Sequence, residues 1–149
     1  MTTSLDGLAL ITKWEGSRTR PYRDVAGLWT VGVGHLLRVD MPTKWDYTED
    51  EIHALLEGDL DRTECGITRL CGDSLAQCQF DALVSFAFNC GLGALQRSTL
   101  RQRVRRGDPR AGDAFLMWNR AGGKVWAGLT ARRADERALY QSTQEGVSQ

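Results

Sequence analysis

The chain has 149 residues, of which 42% are hydrophobic and 26% are charged, and this is typical of one globular domain with a sizeable core. No segment approaches the roughly 20 apolar residues that span a bilayer, so the sequence excludes a membrane-spanning helix. The formal net charge is zero, but the charge is segregated along the chain.

The first half of the chain predicts a helix, a small sheet and a second helix. Ser4 can cap a helix from about Leu5 to Lys13, whose apolar side would hold Leu5, Leu8, Ile11 and Trp14. Residues 20–37 contain proline and glycines and alternate at period two, which predicts two or three strands with tight corners. Thr48 and Glu51 form a capping box that opens a long amphipathic helix.

The second half predicts only helices. Ser74 and Gln77 form a second capping box before an apolar helix that Gly91 can end. Ser98 or Thr99 starts a helix that stops at Gly107, and residues 113–119 form a short helix before the Gly122-Gly123 break. Thr130 caps a last helix over residues 131–141, and the tail after it, residues 143–149, is predicted to fray.

The order of these elements predicts an α+β fold. A smaller lobe with the sheet, at about residues 14–60, would be joined through the helix that starts near Thr48 to a larger helical lobe. That lobe would comprise about residues 61–142 and the N-terminal helix, residues 5–13. We expect a single domain over residues 1–149 with a cleft between the lobes, where ligands usually bind.

The segment WEGSRTRPYRDVAGLWTVGVGHL, residues 14–36, contains three polar candidates for chemistry. Glu15 ends the first predicted helix, and a carboxyl desolvated at such a junction has a raised pKa, as a general acid requires. Asp24 lies in the predicted turn, and a second, ionised carboxylate is the usual partner in glycoside hydrolysis. Thr30 can position a water molecule. Each residue also has an ordinary structural explanation: a solvated helix end, a turn and a strand.

The spacing of these three residues resembles that of a known family. Eight residues separate Glu15 from Asp24 and five separate Asp24 from Thr30, which looks like the catalytic triad of bacteriophage-type lysozymes, the endolysins of glycoside hydrolase family 24. The segments YRDVAGLWTVGVGHLL, QFDALVSFAFNCGLGALQRSTL and GLTARRADERALY resemble the family as well. The similarity covers roughly residues 5–141 and implies a lysozyme-like, bilobed fold.

The resemblance implies hydrolysis of the β-1,4 bond between N-acetylmuramic acid and N-acetylglucosamine in bacterial peptidoglycan. Glu15 would protonate the leaving oxygen. Asp24 would stabilise positive charge on the sugar and, with Thr30, orient the attacking water. The family's inverting course implies no covalent intermediate, and retention through a covalent Asp24 intermediate is the alternative. No metal or organic cofactor is implied.

Further positions match the cleft lining of phage lysozymes. The resemblance implies that Leu36 lines the cleft, that Phe88 offers apolar surface to a sugar, and that Asn89 and Ser98 hydrogen-bond acetamido or hydroxyl groups. Core packing is the alternative for Phe88, because it also lies at helical spacing.

Charged residues outside the triad are predicted to be mainly structural. His35 is expected to be structural and not catalytic, because the proton-transfer groups are already assigned. A carboxylate on the next helix, Asp59, can pair with it. Lys124 can approach Glu15 as a cation. The three charged residues of the last helix are predicted to tie that helix to the body of the protein: Arg132, Arg133 and Glu136.

Two other features leave alternatives open. Residues 97–149 carry 11 basic and 5 acidic side chains, and the cluster Arg101, Arg103, Arg105, Arg106 and Arg110 is either a surface for an anionic polymer or a solvated helix face. Four cysteines lack the paired C-x-x-C spacing of a zinc site. We predict free thiols, with Cys78 and Cys90 on a buried helix, and a Cys65–Cys71 bridge as the alternative.

Rival functions follow from the same sequence. A lytic transglycosylase also uses a glutamate on a lysozyme-like fold but needs no Asp24–Thr30 pair. A catalytically silent wall-binding module would retain the fold without the chemistry. Nucleic-acid binding lacks a recognised helix-turn-helix or aromatic RNA-binding motif.

The predicted partner is the peptidoglycan polysaccharide, bound by a monomer without nucleic acid or stable membrane insertion. The first 16 residues have no basic start before their apolar positions and predict an amphipathic helix, not a secretory signal. The expected course is accumulation in the host cytoplasm, then release to the periplasm and wall through a holin pore if the protein is a phage endolysin. A tail-associated lysozyme and a delivered effector remain alternatives.

Overall fold

The computed structural model describes residues 1–142, and the predicted fraying of residues 143–149 lies outside that range. Its α-helices are Leu5–Glu15 (α1), Glu49–Cys71 (α2), Gln77–Cys90 (α3), Leu92–Gln96 (α4), Thr99–Arg106 (α5) and Ala127–Gln141 (α6), and Ala111–Met117 forms a 3-10 helix. The first antiparallel sheet contains Arg18–Arg23 (β1), Trp29–Gly32 (β2) and His35–Leu36 (β3). The second antiparallel sheet contains Arg120–Ala121 (β4) and Lys124–Val125 (β5). The predicted α+β class is confirmed.

Helix α1 begins and packs largely as its sequence indicates. The Ser4 hydroxyl accepts a hydrogen bond from the Gly7 N–H, and Leu8 and Ile11 are buried. The prediction for Leu5 is wrong, because this side chain in the first turn is 76% exposed. The helix continues past Lys13 to Glu15, which was predicted to end it, and Gly16 follows with a φ of 77°.

The first sheet turns the chain back directly after α1. Strand β2 lies between β1 and β3, with Thr30 paired to Tyr22 on one side and to Leu36 on the other. The β1–β2 turn is closed by hydrogen bonds from Asp24 N–H to Leu28 C=O and from Gly27 N–H to Asp24 C=O, both 2.9 Å long. The predicted hairpin is therefore confirmed.

Helix α2 connects this sheet to the helical part of the protein. The Thr48–Glu51 capping box is present, as predicted. The helix contacts β2 and β3, and it also contacts α3, α4 and α5. Its buried apolar positions include Ile52, Leu56, Leu60 and Ile67.

Helix α3 is the centre of the core and contacts α1, α2, α4 and α6. The predicted Ser74–Gln77 box is wrong, because the N-cap is Ala76 and its N–H donates to the side chain of Gln79. The Gln77 amide is used elsewhere: it donates to the backbone oxygen of Thr2 at 2.9 Å. The buried residues of this helix include Phe80, Leu83, Val84 and Phe86.

The C-terminal third differs most from the sequence-based prediction. Ser98 caps α5 and Gly107 ends it with a φ of 64°, as predicted. Strands β4 and β5 form a hairpin around Gly122 and Gly123, which have positive φ and were predicted only as a break. Helix α6 begins before Thr130, whose hydroxyl donates to Trp126 C=O within the first turn and does not cap a later helix.

All four cysteines are free thiols, which confirms the default prediction over a Cys65–Cys71 bridge. Cys78 and Cys90 lie on the largely buried helix α3, as predicted, and their own side chains are half-buried. Within residues 1–142, no helix has the length and apolar character needed to cross a membrane. The single-domain organisation and the lobe boundaries stay predictions.

Candidate active site

Glu15 lies at the edge of an open cleft of about 520 Å³. The Glu15 side chain is 27% exposed. Glu15 is the last residue of α1, because Gly16 turns the chain out of the helix. The cleft lining combines one carboxylate, two indole rings, an amide and a guanidinium, and consists of Trp14, Glu15, Asn89, Ala121, Trp126, Gly128, Leu129 and Arg132. The Glu15 carboxyl is thus open to a ligand bound in the cleft, within the hydrogen-bond reach that proton transfer requires.

Arg132 of α6 holds the Glu15 carboxylate. Its Nη1 donates to Oε1 of Glu15 at 2.6 Å, and the guanidinium is only 5% exposed. The Nη2 of Arg132 donates to the backbone oxygen of Ser85 at 3.2 Å, which anchors the guanidinium on α3. Arg132 therefore ties α6 to α1 and α3, as predicted, and the residue that it holds on α1 is the candidate acid.

Arg132 belongs to a buried charge network that reaches the other side of the cleft. Its Nε lies 3.6 Å from Oε1 of Glu136, and Nη2 of Arg133 lies 2.5 Å from the same oxygen. These are close ion pairs without hydrogen-bond alignment. Arg133 Nη2 in turn donates to Oδ1 of Asn89 at 3.0 Å. One network therefore joins Glu15 to Asn89 through α6.

Burial controls the ionisation of this network. Glu136 and Arg133 are both fully buried. Burial raises the pKa of Glu136 to about 7, although the guanidinium groups of Arg133 and Arg132 lower it. The same effect raises the pKa of the Cys90 thiol, against the opposing influence of Arg133, which donates to its sulfur at 2.8 Å.

Asp24 and Thr30 are brought together by the hairpin that follows α1. Oδ1 of Asp24 accepts hydrogen bonds from the N–H groups of Ala26 and Leu28, each at 2.9 Å. The Thr30 hydroxyl donates to the backbone oxygen of the same Leu28 at 3.0 Å, and Thr30 is 3% exposed. Only Gly16 and Ser17 separate Glu15 from the start of β1. Glu15 makes its side-chain hydrogen bond with Arg132 and not with the hairpin.

The four residues predicted to line the cleft are separated in the structure. Asn89 lies in the Glu15 cleft, whereas Leu36 lines a groove of about 260 Å³ beside Leu28 and Trp29. Phe88 is half-buried against the core. Ser98 is 3% exposed, and its hydroxyl accepts from Arg101 N–H and donates to Leu95 C=O, so its position does not favour the predicted contact with substrate.

The predicted His35–Asp59 pair is present, with Nδ1 of His35 2.9 Å from Oδ2 of Asp59. It ties β3 to α2, which agrees with a structural role for the histidine. Lys124 lies in the exposed strand β5, and no ion pair between Lys124 and Glu15 occurs in residues 1–142. The cation beside Glu15 is Arg132 and not the predicted Lys124.

Sequence reasoning missed Trp126 as a cleft residue. The Gly122-Gly123 pair was the available signal, because two consecutive glycines between short polar segments also predict a hairpin turn. Such a hairpin would have drawn attention to the aromatic residue directly after it.

Comparison with known proteins agrees with this fold and cleft. A P22 lysozyme mutant has a solved structure that superposes with a TM-score of 0.86 at 35% identity, covering 94% of this chain and 98% of that one. The muramidase domain of SpmX from Asticaccaulis excentricus superposes with a TM-score of 0.80 at 34% identity, covering 93% of this chain and 97% of that one. The protein therefore has a lysozyme-like α+β fold.

Sequence comparison gives the family. The sequence model described as phage lysozyme matches residues 12–136. The endolysin of Salmonella phage P22 is 39% identical over 146 residues, which cover 95% of this chain and 99% of the relative. The SAR-endolysin of bacteriophage PS119 is 41% identical over 124 residues, with coverages of 83% and 74%. The chain belongs to the phage lysozyme family, as the sequence motifs predicted.

Other relatives are longer than this chain. The endolysin of Bacillus phage B103 is 41% identical over 143 residues, which cover 94% of this chain but 54% of the relative. The corresponding share of the Bacillus phage PZA endolysin is 58%. The chain thus spans little more than half the length of these two relatives.

Proposed function

We propose that the protein is a lysozyme that hydrolyses the β-1,4 bond between N-acetylmuramic acid and N-acetylglucosamine in bacterial peptidoglycan and so lyses the host cell. The observation that carries this proposal is the Glu15 carboxyl, held by Arg132 at the edge of a cleft with aromatic walls. Membership of the phage lysozyme family supports the substrate class, and the cleft supplies an acid and a surface for a glycan strand.

Glu15 is the general acid of this proposal. Arg132 donates to Oε1, and no hydrogen bond from residues 1–142 reaches Oε2. Oε2 is therefore the oxygen that carries the proton to the leaving glycosidic oxygen. Because Arg132 is itself fixed on Ser85, the direction of this oxygen is set before substrate binds.

Asp24 and Thr30 act on the sugar and the water. Two backbone N–H groups fix Oδ1 of Asp24 and leave Oδ2 to stabilise the positive charge that develops on the sugar ring. The Thr30 hydroxyl donates to Leu28 C=O, so its lone pairs remain to accept a hydrogen bond from the attacking water. The reaction inverts configuration and needs no metal or organic cofactor.

Substrate contacts are assigned on the same basis. Asn89 binds the glycan in the Glu15 cleft, and Leu36 contributes from the separate groove beside β2. Phe88 is half-buried against the core, and its role in this proposal is to support the substrate-binding surface from the protein interior. Ser98 is left out of the contact set because its hydroxyl caps α5.

The test is lysis of chloroform-treated Gram-negative cells by the purified protein. We expect Glu15→Gln to abolish lysis and Asp24→Asn to reduce it severely, with both proteins folded. Glu57→Gln is the matched control, since this exposed glutamate lies on α2 outside the cleft and should leave lysis unchanged. Lysis by Glu15→Gln at the rate of the parent would refute the assignment of the acid.

Mass spectrometry of the products from the same digestion distinguishes hydrolysis from transglycosylation. Hydrolysis adds water and yields reducing ends, whereas a lytic transglycosylase yields anhydro-muramic ends. The Asp24→Asn variant provides a second distinction. Its loss of lysis is expected for hydrolysis, whereas attack by the sugar itself does not need a water-orienting carboxylate. Anhydro products would overturn the proposed hydrolysis.

For delivery, we propose a monomer that accumulates in the host cytoplasm and reaches the wall through a holin pore. A relative named SAR-endolysin points to another mode of release, so expression with and without a holin is the informative comparison. Lysis that requires the holin would support cytoplasmic accumulation.

A further inference from the structure

Trp126 is a large exposed aromatic residue beside the proposed acid. It connects β5 to α6 and is 55% exposed, yet it lines the cleft that contains Glu15. An indole left in water at this position loses the apolar burial that such a side chain usually gains. A ligand in the cleft would cover it.

The orientation of Trp126 is fixed by the β4–β5 hairpin. Its backbone N–H donates to Asn119 C=O and its indole Nε1 donates to Ala121 C=O, each at 3.0 Å. The hairpin is closed by Gly122 and Gly123, whose φ values of 58° and 79° suit a tight turn. The polar edge of the indole is thus satisfied within the protein, and only its apolar surface remains for a ligand.

Two further residues of the cleft, Trp14 and Asn89, complement the groups of a sugar ring. The Trp14 indole Nε1 donates to Oδ2 of Asp135 at 3.0 Å, and the Lys13 ammonium lies over the ring, 5.1 Å from its centroid. Oδ1 of Asn89 is occupied by Arg133, while no hydrogen bond within residues 1–142 uses its Nδ2. The cleft therefore offers the exposed apolar surface of Trp126, a second indole at Trp14 and one amide donor. An N-acetylhexosamine ring has the complementary groups: apolar C–H faces and an acetamido carbonyl.

We propose that Trp126 is the stacking platform of a subsite that holds one N-acetylhexosamine ring of the glycan strand beside Glu15. The Asn89 amide donates to the acetamido carbonyl or to a hydroxyl of the same ring. This inference rests on the proposed function, because the ring is part of the strand that Glu15 would cleave. It adds a specificity-determining residue that fixes the register of the strand against the acid.

The experiment measures kcat and KM on solubilised, peptide-free peptidoglycan strands of defined length. We expect Trp126→Ala to raise KM about tenfold, as the loss of one aromatic contact warrants, and to change kcat little. Trp126→Phe should recover most of the affinity, because it restores an aromatic face without the bond to Ala121. Trp126→Leu, which is apolar but not aromatic, should recover less.

Val125→Ala is the matched control. Val125 is 54% exposed on the same hairpin but does not line the cleft, so its truncation should leave both constants unchanged. Thermal unfolding of each variant verifies that the hairpin change does not unfold the protein. A parental KM in Trp126→Ala, or a loss confined to kcat, would overturn the platform.

Binding to the strands in the Glu15→Gln background separates this inference from the proposed function. Isothermal titration should show weaker binding when Trp126→Ala is added to Glu15→Gln. If the parent binds strands through Trp126 but cleaves none, the subsite stands and the proposed hydrolysis fails. If the parent cleaves strands and binding is indifferent to Trp126, hydrolysis stands and the subsite fails.

Discussion

At the residue scale, the contact between Glu15 and Arg132 shows which part of the site a sequence can predict. Glu15 was predicted from its place at a helix end and from its spacing to Asp24 and Thr30. Arg132 lies 117 positions away, and neither periodicity nor local spacing indicates which buried charge meets which. The pairing follows from the packing of α6 against α3 and α1, which is a tertiary event.

Glu136 is the most strongly perturbed acid of the same network. With its pKa raised to about 7 by burial, the folded state binds a proton more tightly than the unfolded chain, whose ordinary value is 4.5. Between these two pH values the folded state holds more protons, so the free energy of unfolding falls as pH rises. The stabilisation is fully present below pH 4.5 and is lost by the time the pH has passed 7.

We predict that Glu136→Gln flattens this pH dependence. Across the window from pH 4.5 to 7, the free energy of unfolding of the parent should fall by up to about 3 kcal/mol more than that of the variant. Urea denaturation at a series of pH values provides the measurement, with the exposed Glu57→Gln as control. Parallel curves for parent and Glu136→Gln would show that burial does not govern this carboxyl.

At the element scale, helix α2 contains two glycines in contrasting surroundings. Gly58 is exposed, and a Cβ there would meet no atom within 4 Å. Gly66 is buried, and a Cβ there would lie 2.5 Å from both terminal methyl groups of Leu92 on α4. The second glycine therefore permits α4 to lie close against α2, whereas the first only weakens the helix.

Alanine substitutions should separate these two roles. Gly58→Ala should raise the free energy of unfolding by up to about 1 kcal/mol, because alanine is the better helix former. Gly66→Ala should lower it by about 1 to 3 kcal/mol, because Leu92 must leave its position in the packed interface. Chemical denaturation of both variants gives the comparison, and equal effects of the same sign would contradict it.

The elements that sequence predicted well are those defined by local chemistry. The capping box of α2, the cap and the terminal glycine of α5, and the first hairpin depend on residues within a few positions of one another. One error occurred where a distant partner competes for a polar side chain, because Gln77 turns to Thr2 instead of capping α3. The error at Thr130 is local, because α6 begins earlier than predicted and the hydroxyl bonds to Trp126 C=O, four residues before it. Exposure of Leu5 depends on what packs beside α1.

At the scale of the whole molecule, the residues before α1 are fastened to the helical core. Oε2 of Glu64 accepts hydrogen bonds from the N–H and the hydroxyl of Thr3. Asp81 is 1% exposed and accepts from the N–H and the hydroxyl of Ser4, and from Gln77 at 2.8 Å. These two carboxylates fasten the start of α1 to α2 and α3, whereas the Glu15 carboxyl at its other end is held by Arg132.

We predict that Asp81→Asn lowers the free energy of unfolding by about 2 kcal/mol, because charge-assisted hydrogen bonds from several donors are lost in a buried site. Asp73→Asn, at an exposed position before α3, should cost little. Urea denaturation measures both variants. Well below its transition, Asp81→Asn should retain the kcat of the parent, since the cleft residues are unchanged. A stability equal to that of Asp73→Asn would contradict the fastening role.

The pairing of Glu15 on α1 with Arg132 on α6 also determines when the candidate site is complete during synthesis. The segment that bears the acid leaves the ribosome first, but the guanidinium that orients it is translated 117 residues later. Trp126 and the rest of the cleft wall from residue 121 onward emerge at the same late stage. A nascent chain that has not reached α6 therefore lacks both the guanidinium that holds Glu15 and a wall of the cleft, so the proposed activity should require α6.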